Sequence, residues 1–172
     1  MKSKKAKVKK GITVIGVIPA RYGSTRLQAK ALAMIHGKPM IQHVYERCLK
    51  ANLLDEVLAA TDDKRIYDTV MGFGGNAVMT SKSHKSGTDR IGEAVKNIKC
   101  DIVVNIQGDE PMIDPVNINM AVAPLLKDKS INVSTICYKI KDTKDISDPN
   151  IVKVIKDKKK FCFIFFQKCY SL

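Results

Sequence analysis

Long apolar runs are missing from this sequence, and so are the marks of secretion. No stretch of about twenty apolar residues occurs, so we expect no helix that spans a membrane and no membrane partner. The basic start, MKSKKAKVKK, lacks the apolar stretch and the small-residue cleavage site of a secretory signal. The five cysteines are odd in number and scattered, with no CxxC pair. This pattern favours reduced thiols in a cytoplasmic protein over disulfides or a zinc site.

Aromatic residues are missing from the most basic parts of the chain. The formal net charge is +13, yet six lysines lie in the first ten residues and others cluster at positions 156–160. Lysine clusters without interleaved aromatics offer no platform for stacking bases. We interpret residues 1–11 as a basic, flexible tail and expect no nucleic-acid partner. The alternative, a nucleic-acid-binding protein, predicts salt-sensitive binding that depends on residues 1–10.

The chain does contain a regular alternation of apolar strands and amphipathic helices. Its 172 residues suffice for one α/β domain, which we place at residues 12–158. The pattern predicts strands at 14–18, 56–60, 76–79, 101–106, 132–138 and 151–155, and helices at 39–50, 64–73, 91–98 and 115–127. Such alternation predicts a three-layer, Rossmann-like fold, with a mostly parallel sheet between helices. In such sheets ligands bind beyond the carboxyl ends of the strands.

A basic loop follows the first strand. Val14 to Ile18 form an apolar, β-branched run, and we expect Pro19 to end it. The loop then mixes small residues with three cations: Ala20, Gly23, Ser24 and Thr25 with Arg21, Arg26 and Lys30. Small residues let backbone N–H groups approach an anion, and the cations neutralise its charge. The loop therefore predicts a phosphate-binding site, with an ordinary basic surface loop as the alternative.

An acidic turn follows the fourth predicted strand. Asp109 and Glu110 come directly after Gly108, at the same expected sheet edge as the basic loop. A carboxylate in this place can hold Mg²⁺, which neutralises charge at a phosphorus atom under attack. A solvated acidic turn is the alternative, but three cations across the same edge favour a site for a metal and a nucleotide.

Segments in register along the chain carry a family resemblance. They are VIPARYGSTRL (17–27), Lys30, ATDD (60–63), SGTDR (86–90), NIQGDEPMI (105–113) and DPNIVKVI (148–155). Together they resemble the 3-deoxy-manno-octulosonate cytidylyltransferases, also called CMP-Kdo synthetases. The resemblance covers about residues 13–158 and implies the fold of nucleotide-diphospho-sugar transferases in a homodimeric enzyme. CMP-sialic acid synthetases are the related alternative, and the YGSTR and SGTDR segments favour the Kdo enzyme.

The resemblance implies transfer of CMP from CTP to the acidic sugar Kdo, for bacterial lipopolysaccharide, with Mg²⁺ assisting the departure of pyrophosphate. Asp109 is then the Mg²⁺ ligand, and the cations of the basic loop contact the triphosphate, with Arg21 and Lys30 catalytic. Gln107 is expected to face the sugar. Further nucleotide-binding residues are implied at Ala20, Ser24, Arg26, Thr61, Ser86, Gly87 and Arg90. The three histidines are interpreted as structural.

The basic loop departs from the family pattern at one point. The family usually has Pro-Gly-Lys-Pro where this chain has Gln28-Ala29-Lys30-Ala31. Glycine permits positive φ and proline stiffens a loop, so we expect either strain at Ala29 or a looser loop. Weaker nucleotide binding follows as a hypothesis.

The end of the chain is a second departure. Family members continue further, and the resemblance assigns most Kdo contacts, a second metal-binding aspartate and much of the dimer interface to that continuation. A one-base insertion near the codons for residues 158–161 would convert the usual continuation into this aromatic-rich end. We therefore expect a frameshifted, non-native tail at 159–172, a fold incomplete at the C-terminus, a lost dimer interface and little CMP-Kdo formation. A natural short tail and a non-catalytic nucleotide-binding fragment are the alternatives.

Overall fold

The computed structural model describes residues 11–23, 28–158 and 162–166. Its strands are β1 (Val14–Ala20), β2 (Met34–Ile35), β3 (Lys38–Pro39), β4 (Glu56–Thr61), β5 (Ala77–Met79), β6 (Ile102–Asn105), β7 (Lys153–Lys156) and β8 (Cys162–Phe166). Its helices are α1 (Met40–Cys48), α2 (Lys64–Gly72), α3 (Gly87–Val95), α4 (Pro115–Lys127) and α5 (Lys144–Ser147), with a 3-10 turn at Lys30–Leu32. The chain divides into two compact units, with the boundary between Ser134 and Thr135. Among the helices in these described ranges, none has the length and apolar character needed to cross a bilayer.

The first unit is built on a four-stranded sheet with the order β5-β4-β1-β6. Every pairing in it is parallel, which confirms the predicted parallel sheet. β1 runs through Pro19 to Ala20, so the prediction that Pro19 ends the strand is wrong. The Val17 carbonyl faces β6 and accepts from the Ile106 N–H. The backbone nitrogen of Pro19, two residues later in the strand, faces the same side of β1. β1 no longer pairs with β6 at this position. The sheet therefore loses no hydrogen bond because proline has no N–H.

The side chains of β1 alternate between two apolar clusters, which places helices on both faces of the sheet. Val14 and Ile18 pack in the larger cluster with residues of α1, α2 and α4: Ile41, Val44, Ile66, Val70, Ile118 and Val122. Ile15 and Val17 pack in the other cluster with Ile91 and Ala94 of α3. The predicted three-layer arrangement is therefore confirmed for the first unit.

Short polar side chains begin three of the helices. Asp63 accepts a hydrogen bond from the backbone of Arg65 at the start of α2, and Asp114 does the same for Val116 at the start of α4. Ser86 caps α3 by accepting from the Asp89 N–H. The helix predicted at 91–98 therefore begins earlier, at Gly87, because Ser86 supplies the helix start.

Three left-handed backbone positions shape the segment before α1. β2 and β3 form a hairpin whose turn residues, His36 and Gly37, have φ of 45° and 77°, the pattern of a type I′ turn. Ala29, which precedes the 3-10 turn, has φ 57° and ψ 26°. Of the two expected outcomes, strain at Ala29 or a looser loop, the structure shows a left-handed conformation at Ala29, which crowds the Cβ of any residue other than glycine.

The second unit contains α5 and a hairpin of β7 and β8, which pair antiparallel. The strand predicted at 151–155 is confirmed with shifted bounds. The strand predicted at 132–138 is wrong: Val133 and Tyr138 are 85% and 76% exposed, and the segment pairs with no strand in the described part of the chain. A segment with alternating apolar residues forms a strand only where a neighbouring strand pairs with its backbone. Residues 1–10 and most of the tail expected at 159–172 lie outside the described residues.

Through its buried hydroxyl group, Tyr45 connects α1 to β4 and to the residue that precedes β5. The hydroxyl donates to the Val57 carbonyl and accepts from the Asn76 N–H, each at 2.8 Å. Its ring meets Phe73 edge to face, with centroids 5.5 Å apart. Burial raises the pKa of the Tyr45 phenol above its usual value, so the hydroxyl remains a donor.

We expect Tyr45→Phe to destabilise the protein by about 1–3 kcal/mol, because the Val57 carbonyl and Asn76 N–H lose this buried partner. Urea unfolding followed by circular dichroism measures the change. Tyr67→Phe is the matched control, since the Tyr67 ring lies on α2 near the Lys64 ammonium, and it should change stability by less than about 0.5 kcal/mol. Equal effects of the two variants would contradict a bridging role for Tyr45.

Replacing Ala29 by glycine should raise stability by about 1 kcal/mol, because the left-handed backbone no longer crowds a Cβ. Ala33→Gly is the control: its φ of −57° suits alanine, so glycine there should destabilise by roughly 0.5–1 kcal/mol. Urea unfolding of both variants gives the comparison, and a loss of stability in both would contradict strain at Ala29.

A CTP titration of a Gln28→Pro, Ala29→Gly variant tests the hypothesis that the altered loop weakens nucleotide binding. Equal CTP affinities of this variant and the parent chain would contradict the hypothesis.

Candidate active site

Loops at the carboxyl edge of the parallel sheet enclose a cleft. They follow β1, β5 and β6, as expected for ligand sites in such sheets. The cleft has a volume of about 370 Å³, within the range of small-molecule sites. The residues that line it are Pro19, Ala20, Arg21, Lys30, Ala31, His84, Lys85, Ser86, Gly87, Arg90, Gln107, Gly108 and Asp109.

An ion pair joins the basic loop to the acidic turn inside this cleft. Lys30 Nζ donates to Asp109 Oδ2 at 2.7 Å. The two side chains are 37% and 51% exposed, so solvent and ligands reach both. An ion pair this exposed adds little stability, and a charged ligand can separate it at small cost. The cation and the carboxylate predicted for one site thus lie in one cleft.

Cations outnumber acids in the lining of the cleft. Among the described lining residues, Arg21, Lys30 and Lys85 stand against one carboxylate, that of Asp109. Arg21 is exposed and makes no ion pair within the described residues. A positive surplus in a concave, partly desolvated place attracts polyanions.

Arg90 also lines the cleft, but its guanidinium group is already paired. It is 3% exposed, and Nη2 donates to Asp62 Oδ2 at 2.7 Å. Nη1 donates to the hydroxyl of Thr80 and, at 3.4 Å, to the carbonyl of Ser81. Arg90 therefore ties α3 to the ends of β4 and β5, and Asp62 compensates its buried charge.

Two glycines bring the other loops close to Pro19. A Cβ on Gly87, at the start of α3, would lie 3.3 Å from Cγ of Pro19. A Cβ on Gly108 would lie 3.1 Å from the Pro19 carbonyl oxygen. The absence of these two side chains lets the loop after β6 and the first turn of α3 both approach the end of β1.

His84 and Lys85 line the cleft although we did not predict them as site residues. His84 Nε2 hydrogen-bonds Glu93 Oε2, and Glu93 also accepts from the Ser81 N–H at 2.9 Å. The Ser81 N–H, and after it His84, hold the pKa of the Glu93 carboxyl below its usual value. The available signal was the length of the polar segment 80–90, in which both residues precede Ser86. His43, which hydrogen-bonds the Ile35 carbonyl, is placed as a structural residue.

The structure brings most of the predicted site residues together. Ala20, Arg21, Lys30, Ser86, Gly87, Arg90, Gln107 and Asp109 all line the cleft. Thr61 does not: it is fully buried, and its hydroxyl accepts from the Asp63 N–H while its carbonyl accepts from Thr80. Ser24 and Arg26 lie outside the described residues.

Curated relatives are similar to most of this chain. The 3-deoxy-manno-octulosonate cytidylyltransferase of Geotalea daltonii is 52% identical over 88% of this chain and 60% of its own length. That of Geobacter sulfurreducens is 47% identical over 90% of this chain and 62% of its own length. The chain thus spans about three fifths of the length of the curated relatives it matches.

Solved structures agree with the sequence comparison. A CMP:2-keto-3-deoxy-manno-octonic acid synthetase complexed with CTP matches with TM-score 0.88 and 43% identity, over 91% of this chain and 64% of that one. A nucleotidyl transferase from Methanothermobacter thermautotroptrophicus, at 18% identity and TM-score 0.57 over 66% of this chain and 58% of its own, shares the fold alone. The model of the cytidylyltransferase family matches residues 15–166, and this chain belongs to that family.

Proposed function

We propose that this chain forms the nucleotide-binding part of an enzyme that transfers CMP from CTP to 3-deoxy-manno-octulosonate. The observation that carries the proposal is the cleft in which Lys30 meets Asp109 beside the exposed Arg21. The similarity to 3-deoxy-manno-octulosonate cytidylyltransferases and to the CTP-bound synthetase supports the choice of sugar and nucleotide. In this reaction the anomeric hydroxyl of the sugar attacks the α-phosphorus of CTP, and pyrophosphate leaves.

Arg21 and Lys30 are assigned to the triphosphate. Both lie in the basic loop at the end of β1, and their charges oppose those that accumulate as the bond to pyrophosphate breaks. Donors fixed in place before the reaction stabilise that charge without further reorganisation. Lys30 leaves Asp109 for the phosphates when CTP enters, so the cleft exchanges one ion pair for another. Ala20, Ser86 and Gly87 form the wall assigned to the cytidine.

Mg²⁺ is the cofactor we assign to Asp109. The residues fit the ion in its usual nucleotide-bound form, in which one or two carboxylates share it with phosphate oxygens and water. Within residues 11–23, 28–158 and 162–166 no three acidic, histidine or cysteine side chains stand close enough to hold a metal ion on their own. Asp109, the one carboxylate among the described lining residues, therefore suits an ion that arrives with the triphosphate. When bound, the ion would neutralise charge on the phosphates.

The acceptor side of the site is assigned to Gln107. Its amide donates to the Asn105 side chain at 3.3 Å and lies at the exposed edge of the cleft, beside Asp109. An amide there can hydrogen-bond a sugar hydroxyl.

The activated sugar supplies lipopolysaccharide synthesis. The free thiols of the described cysteines fit a cytoplasmic enzyme.

Isothermal titration should detect CTP binding to this chain in the presence of Mg²⁺, and ATP at the same concentration should not displace it. Pyrophosphate release with Kdo as acceptor then measures CMP transfer. Absence of CTP binding would overturn the proposed function. Binding without pyrophosphate release would instead favour a non-catalytic nucleotide-binding fragment, and near-normal turnover would contradict the expectation of little CMP-Kdo formation.

The variant Asp109→Asn should abolish the effect of Mg²⁺ on CTP affinity, because it removes the lining carboxylate. In the parent chain we expect Mg²⁺ to tighten binding by roughly tenfold or more, as a charge-assisted contact of about 1.5–3 kcal/mol would. Glu110→Gln is the matched control: it removes the neighbouring acid, which does not line the cleft. If both variants keep the Mg²⁺ effect, Asp109 is not the ligand.

A further inference from the structure

The two described cations of the basic loop stand beside one backbone hydrogen bond. The Ala29 N–H donates to the Tyr22 carbonyl at 2.9 Å. Arg21 immediately precedes Tyr22, and Lys30 immediately follows Ala29. This hydrogen bond therefore sets the separation of the two backbones that carry the cations, and whatever holds Tyr22 in place also holds both of them.

A side chain from α2 packs on Tyr22. The guanidinium carbon of Arg65 lies 3.4 Å from the centroid of the Tyr22 ring. At that distance the planar guanidinium stacks on the ring face and is attracted to it as a cation. Tyr22 is also partly buried against the larger apolar cluster. The ring is therefore held by the core and by Arg65 together.

Arg65 is itself oriented by a two-point ion pair. Its Nε and Nη2 donate to Oδ1 and Oδ2 of Asp63 at 2.8 and 2.6 Å. Asp63 Oδ1 also accepts from the Arg65 N–H at 3.0 Å, which caps α2. The Asp63 side chain is only 15% exposed. The first turn of α2 thus fixes the plane of the guanidinium group, because a fork of two parallel bonds permits one orientation.

We propose that Arg65 is a positioning residue for triphosphate binding: by stacking on Tyr22 it holds Arg21 and Lys30 where they meet the phosphates. This inference rests on the proposed function, which assigns the phosphates to those cations. Arg65 does not line the cleft, so it acts through Tyr22 rather than through contact with the nucleotide. Its chemistry suits this role, since lysine could supply the charge but not the stacked plane.

The variant Arg65→Gln should weaken CTP binding roughly three- to tenfold, the worth of a stacked cation–π contact. Binding of CMP, which lacks the β- and γ-phosphates, should change by less than about twofold. A merely structural role would lower both affinities alike. Lys64→Gln is the matched control: it removes the same charge from the adjacent residue of α2, which pairs with Asp68 rather than stacking on Tyr22, and it should leave the ratio of the two affinities unchanged.

Variants of the ring separate stacking from charge. Tyr22→Phe keeps the ring face and should bind CTP within about twofold of the parent, whereas Tyr22→Leu should resemble Arg65→Gln. The double variant Arg65→Gln, Tyr22→Leu should be no weaker than either single one, because both remove the same contact. Arg65→Lys should fail to restore the CTP-to-CMP ratio, and it serves in place of Arg65→Gln if that variant does not fold. Additive losses in the double variant would overturn the inference.

Hydrogen exchange gives a test that needs no nucleotide. Loss of the stack should speed exchange of the Ala29 amide, which donates to Tyr22, in Arg65→Gln but not in Lys64→Gln. Unchanged exchange in Arg65→Gln would overturn the inference even if CTP binds well. If the Ala29 amide exchanges faster in Arg65→Gln but the parent chain does not bind CTP, Arg65 still holds the loop, and the proposed function is wrong instead.

Discussion

Hydrogen bonds along both edges of β1 constrain where every other part of the first unit can lie. Parallel pairing with β4 on one side and β6 on the other directs the carboxyl ends of these strands to one edge. Apolar clusters on the two faces of β1 then hold α1, α2 and α4 on one side of the sheet and α3 on the other. The loops that follow these strands therefore lie side by side at the shared edge. For this reason Lys30 and Asp109, which are distant in sequence, come within hydrogen-bonding distance.

The sequence predicted the parts of this arrangement that depend on local pattern. The continuous apolar run Val14–Ile18 predicted a buried parallel strand, because a strand covered on both faces has no polar side. The run 101–106 also forms a parallel strand, but β6 lies at the edge of the described sheet and Val103 is 38% exposed, so its apolar run overstated its burial. The loops that follow them predicted the cleft, since the edge rule needs only strand order and direction. The left-handed conformation at Ala29 was also within reach, because the family pattern places glycine at that position.

Features that depend on the partner of a side chain could not be predicted. Arg90 was assigned to the nucleotide by motif, yet the structure directs its guanidinium group to Asp62. Thr61 belongs to another motif, but the strand pleat buries it away from the cleft. The segment 132–138 has the alternation of a strand, and only the absence of a pairing neighbour in the described chain decides against it. The hydrophobic pattern predicts which face of a strand or helix a residue lies on. Its contact partner depends on which distant part of the chain packs against that face.

The close approach of Gly87 and Gly108 to Pro19 has a mechanical consequence. A pyrrolidine ring has no rotamers to exchange, and its neighbours carry no side chain that could swing between positions. The spacing between the first turn of α3 and the acidic turn is therefore set by backbone atoms packed against Pro19, with no glycine side chain between them. Thermal motion of the long lysine and arginine side chains above can vary the charge distribution while the shape beneath them stays constant.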